Sequence, residues 1–164
     1  MSLNAYQALI TELGQSLGAA DMAAGEDGYV GLKIDDHEVH VQYEAEDDEV
    51  VLFARLQEAD PDRREAVYAM LLAANVFWQG TRGATFGADF DTGRIFLADR
   101  RPRSALDVES LSTWIEGFAD VAAYWRERIA AANDGGPLGT GGEPAVPSPS
   151  PGGMPGVPPG GVLA

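Results

Sequence analysis

The sequence predicts an α+β domain in the order helix-strand-strand-strand-helix-strand-strand-helix, with an antiparallel twisted sheet packed with helices. Three observations predict it. Apolar residues recur every three or four positions in three separate stretches, as the buried face of a helix requires. Between those stretches, short segments of strand character are joined by acidic or glycine-bearing turns, which suits hairpins and not long crossovers. Past residue 133 the composition turns abruptly to glycine and proline, which ends the domain.

The first helix is expected over Leu3 to Leu17, where Leu3, Tyr6, Leu9, Ile10, Leu13 and Leu17 share one stripe, with Ser2 as N-cap and Gly18 as stop. Asp21 to Gly28 reads as loop. Tyr29 to Ile34 has strand character, and Asp35-Asp36 supplies a turn. From His37 to Glu44 polarity alternates strictly: Val39, Val41 and Tyr43 face one way, His40, Gln42 and Glu44 the other. The acidic run Glu44 to Glu49 makes the next turn. Val50 to Leu56 is a third strand with an apolar centre, expected to be covered on both faces.

Asp60-Pro61 reads as a helix start, with aspartate as N-cap and proline at the first helical position. That helix is expected to run to about Gln79, with Gly80 ending it in a left-handed conformation. Its stripe is Val67, Met70, Leu71, Ala74, Phe77 and Trp78. Ala84 to Phe90 and Arg94 to Ala98 follow as strands, and Pro102 closes the sheet region. Ser104 or Asp107 caps a last helix in which Val108, Leu111, Trp114, Ile115, Phe118, Val121, Ala122 and Trp125 recur at helical spacing. The domain is therefore set at residues 1–133. Residues 134–164 form a Gly/Pro-rich tail, expected to be disordered: from Gly135 onward it holds half of the 20 glycines and most of the 10 prolines, with no aromatic residue to bury.

The net charge of −15 repels nucleic acid and anionic lipid and favours a basic protein partner. With no cysteine, disulfides, thiolate nucleophiles and cysteine metal sites are excluded. The N-terminal stretch has no basic n-region, and no apolar run approaches the ~20 residues that span a bilayer. A cytoplasmic protein is expected.

Little of the remaining sequence suits catalysis. Asp91-Thr92-Gly93 matches the triplet of aspartic proteases, in which two carboxylates share a proton. The same three residues make a hairpin turn readily, and Arg94 stands where those enzymes carry a small residue. Asp89, Asp91 and Gly93 hint at a calcium loop, but Ile95, Phe96 and Leu97 occupy the positions beyond. His37 and His40, three apart on a strand, point to opposite faces. Gly80, Gly83 and Gly87 lack the Lys-Ser or Lys-Thr pair of a phosphate loop. No enzyme, metal or cofactor is expected. What remains is apolar surface. A small one-sheet domain rarely buries both members of a pair such as Phe77-Trp78, so the middle helix is expected to pack on its own sheet and on a twofold copy.

The ordered set Leu71-Leu72-x-x-Asn75-x-Phe77, Gly80-Thr81, Gly83-Ala84-Thr85, Gly87, Asp89 and Thr92-Gly93-x-Ile95-x-Leu97 resembles the class I type III secretion chaperones of the CesT/Tir-chaperone family. The leucine-striped first helix and the rhythm of Leu111, Phe118 and Trp125 agree, so the resemblance covers roughly residues 3–130. Trp78, bulkier than the family's residue, and the tail depart from it. The resemblance implies a homodimer through the middle helix and the following strand, with Val67, Leu71, Ala74, Phe77, Trp78 and Phe86 at the contact. It also implies an effector's N-terminal segment wrapped in non-globular form over Leu9, Leu13, Leu17, Val39, Val41, Tyr43 and Leu52. The secretion ATPase would later strip it, and the chaperone itself would use no nucleotide. Two other classes remain open on the sequence: a same-fold regulatory or scaffold domain binding a folded partner, and an acidic nucleic-acid mimic, although the acids here are spread through turns and helix ends.

Overall fold

The computed structural model describes residues 3–139. The proposed Ser2 cap and the tail from residue 140 lie outside the described residues. The chain forms α1 (Leu3–Ser16), β1 (Tyr29–Ile34), β2 (His37–Glu44), β3 (Glu49–Glu58), α2 (Arg64–Asn75), a single 3-10 turn (Val76–Trp78), β4 (Thr85–Ala88), β5 (Arg94–Pro102), a second 3-10 turn (Arg103–Ala105) and α3 (Val108–Asn133). All neighbouring strands pair antiparallel in the order β1-β2-β3-β5-β4, so β1 and β4 are the two margins.

One face of the sheet is buried by period-two alternation: Val39, Val41 and Tyr43 on β2; Val50, Leu52, Ala54 and Leu56 on β3; Ile95 and Leu97 on β5. α3 lies across β2 and β3 on that face, with α1 beside it and α2 against β4. β3 alternates like its neighbours, with Val51 and Phe53 half-buried on the opposite face, so the expected double-sided cover is absent. On that opposite face the Tyr29, His40 and Phe53 rings stack in a row, 5.9 and 4.9 Å apart. The core is anchored by Trp125, whose indole N–H donates to the Gly80 carbonyl at 2.7 Å and whose ring meets Phe86 edge-on. Gly80 is needed there: a Cβ would stand 3.1 Å from the Ala74 side chain and 3.2 Å from Trp125.

Several boundaries differ from expectation. α2 begins at Arg64, not at Asp60-Pro61, because Asp60 caps a turn instead. Its carboxylate accepts from the Asp62 N–H and its carbonyl from the Arg63 N–H, while its own N–H donates to Asn133. α2 also stops at Asn75, four residues early, because Phe77 and Trp78 adopt left-handed backbone angles (φ 53° and 54°) that turn the chain out of the helix before Gly80 is reached. β4 is only Thr85–Ala88, whereas β5 extends to Pro102. At the C-terminal end, Asp107 and not Ser104 caps α3, and just past the helix Leu138 packs half-buried against the core.

Candidate functional site

α1 carries Leu9, Leu13 and Leu17 on one line, but the three end in different surroundings. Leu9 and Leu13 are buried. Leu17, one residue past the helix, is 55% exposed. The loop after α1 folds back, with the Ala19 N–H donating to the Gly14 carbonyl at 2.8 Å. Between this loop, β1 and α3 runs an open groove of about 800 Å³. Leu17, Met22, Leu32, Ile34 and Ile115 give it apolar walls, and Asp21, Lys33 and Glu116 stand among its lining.

The groove borders the β1 margin of the sheet. Alternate residues of an edge strand direct N–H and C=O away from the sheet. Tyr29 does so, since its carbonyl accepts from the Gly25 N–H at 2.9 Å and its N–H donates to Asp27 at 3.1 Å. Gly31 and Lys33, two and four residues on, share that orientation, and β1 pairs only with β2 among the described strands. The margin from Gly31 to Lys33 therefore presents a donor–acceptor ladder beside apolar pockets.

A second apolar surface lies at the far side of the sheet. Leu72 (66% exposed), Val76 (53%), Phe77 (80%) and Trp78 (54%) cluster at the end of α2. Left-handed backbone at two consecutive aromatic residues costs on the order of 1–3 kcal/mol each. It holds both rings outward, with the Trp78 indole N–H on the Thr85 hydroxyl at 3.2 Å.

These surroundings sort the residues singled out in the sequence. Val67, Leu71, Ala74 and Phe86, expected at a dimer contact, are buried within the protomer and have almost no surface to lend. Only Phe77 and Trp78 of that set are exposed. Of the segment-binding set, Val39, Val41, Tyr43 and Leu52 are core beneath α1 and α3. Leu13 and Leu17 reach the groove. Sequence reasoning missed Leu32, Ile34 and Met22 in the groove and Leu72 and Val76 beside Phe77. Leu32 and Ile34 lay in a stretch read as having strand character, but nothing local marked β1 as a margin.

The Asp91-Thr92-Gly93 segment is a hairpin turn. Asp89 organises it, accepting from the Asp91 and Thr92 N–H groups at 3.0 and 3.2 Å, and Gly93 takes φ +75°. The hydrogen bonds from Thr92, the backbone one foremost, hold the Asp89 carboxyl below its usual range, so it is an ionised turn anchor. Among the described residues no cluster of three or more His, Asp or Glu is arranged to hold a metal ion, and no helix is long and apolar enough to cross a membrane.

The model of the Tir chaperone protein (CesT) family matches residues 8–126, and the chain belongs to that family. Among solved structures, it is similar to a chain of the ExsC–ExsE complex (TM-score 0.67, 20% identity, 77% of this chain and 95% of that one). It is also similar to a chain of the HopA1–SchA chaperone–effector complex (TM-score 0.63, 20% identity, 77% and 97%). A chain of the ExoT–SpcS complex from Pseudomonas aeruginosa gives a TM-score of 0.56 at 23% identity, over 73% and 95%. At these identities the likeness is one of fold. No curated protein matches the chain in sequence.

Proposed function

We propose that this protein is a cytoplasmic type III secretion chaperone. It binds the N-terminal segment of an effector and keeps it extended and export-competent until the secretion ATPase removes it. The observation that carries this reading is the β1 margin, unpaired among the described residues, lying directly beside an open apolar groove. An extended segment adds a strand along Gly31–Lys33 through backbone hydrogen bonds and places alternate side chains against Leu17, Leu32 and Ile34. Backbone pairing is indifferent to sequence, so the pockets set partner choice. Family membership supports the reading, as do fold relatives solved in complexes that include a chaperone–effector pair. Two copies join through Leu72, Val76, Phe77 and Trp78, an apolar surface exposed among the described residues.

Co-expression with candidate effector proteins, followed by pull-down, tests the proposal. The expected product is one complex of two chaperones and one effector, formed through the effector's N-terminal segment alone. Leu17→Glu, at a half-exposed position, is expected to leave folding intact and weaken that complex at least roughly tenfold, the effect of desolvating a charge in an apolar pocket. Recovery only with a folded partner domain, unaffected by Leu17→Glu, contradicts it.

A further inference from the structure

The two margins of the sheet are finished differently. On β4, the Asp89 N–H donates to the Arg94 carbonyl, so Asp89 faces β5. By alternation, Ala84, Phe86 and Ala88 direct their backbone groups away from it. Two of these positions are already occupied. The Ala84 N–H donates to the Thr81 carbonyl at 3.1 Å. The Phe86 N–H donates to Asn75 Oδ1 at 2.9 Å, and the Phe86 carbonyl accepts from Asn75 Nδ2 at 3.4 Å. One side-chain amide at the end of α2 supplies the donor–acceptor pair that a neighbouring strand's backbone would supply.

We propose that Asn75 closes the β4 margin, standing in for a sixth strand and excluding backbone pairing there, whether by a guest polypeptide or by the β4 of another copy. Native proteins blunt edge strands because a free ladder templates association. Most do so with charge, proline or a bulge. Here a helix-end amide does it, and the four-residue length of β4 leaves only Ala88 uncovered. The α2 surface of Leu72, Val76, Phe77 and Trp78 then meets a second copy through side chains, without joining the two sheets. The closure stands independently of the chaperone reading; its consequence, that an extended guest is steered to β1, rests on that reading.

The test uses the full chain with Asn75→Ala and Asn75→Asp. It follows amide hydrogen exchange at Phe86 by NMR, and self-association by sedimentation velocity over a range of concentrations. Asn75→Ala is expected to speed exchange at Phe86 roughly tenfold, the effect of losing one hydrogen bond, and to add concentration-dependent association beyond the wild-type species. Asn75→Asp keeps the acceptor and is expected to retain Phe86 protection. Unchanged Phe86 exchange in Asn75→Ala overturns the proposal. If Asn75→Ala instead loosens the whole sheet, so that the β5 amides exchange faster too, Asn75→Asp decides. Protection kept at Phe86 supports the closure, and protection lost overturns it. None of these outcomes depends on an effector, so failure of the chaperone reading leaves them interpretable.

Discussion

Asp107 shows how much a single residue decides at the start of α3. Its carboxylate accepts from the Ser110 N–H at 2.8 Å while its own N–H donates to the Ser110 hydroxyl at 2.9 Å, a reciprocal capping box. Hydrogen bonds from the Ser110 hydroxyl, then from its N–H, hold the Asp107 carboxyl below its usual range. A carboxyl whose folded value is depressed contributes stability above its unfolded pKa and loses it as pH falls through the folded one. Asp107→Ala is therefore expected to melt below wild type at neutral pH, with the gap closing as the solution is acidified through the carboxylate range. A gap that stays constant to the acid limit contradicts the capping account. The cap was legible as one of two candidates, Ser104 or Asp107. The difference between Leu13 and Leu17 was not, because residues four apart share a helical stripe whether or not a neighbouring loop covers them.

At the scale of elements, β1 and β2 were readable to the residue: strand character and a two-residue turn marked β1, and strict period-two alternation marked β2. α2 was not. Asp-Pro is a fair start signal, but the Ala59 and Asp60 N–H groups donate to the Gly93 carbonyl and the Asn133 side chain and hold that stretch as a turn. The helix end was hidden because Phe77 and Trp78 fit the helical spacing while adopting a conformation that aromatic residues rarely take. Their exposure changes what substitution does. Phe77 has little contact with its own protomer and sits in a left-handed conformation that aspartate tolerates better than an aromatic residue, so Phe77→Asp is expected not to lower the melting of the isolated protomer. It is expected to shift sedimentation equilibrium from dimer to monomer. A dimer that persists unchanged removes the end of α2 from the interface.

At the scale of the whole molecule, the sequence supported the fold class and the family resemblance but not the strand order. Element order alone leaves open whether β4 or β5 lies next to β3. Long-range pairing such as Phe53 with Ala98 settles it, and with it which strands become margins. The burial of four of the expected segment-binding residues was hidden for the same reason. Val39, Val41, Tyr43 and Leu52 alternate correctly, yet they face helices that the local pattern does not position. The tail expected to be disordered was set at residues 134–164; it is described only to residue 139, where Leu138 packs half-buried against the core, and from residue 140 it lies outside the described residues. On the proposed function, the −15 charge steers encounter with a basic segment without fixing the pose. The pose comes from the groove and the β1 margin, so the most direct measurement is amide exchange at Gly31 and Lys33 with an effector segment bound. The account predicts that both amides, exposed in the free protein, become strongly protected in the complex. A tight complex in which both continue to exchange as in the free protein contradicts it.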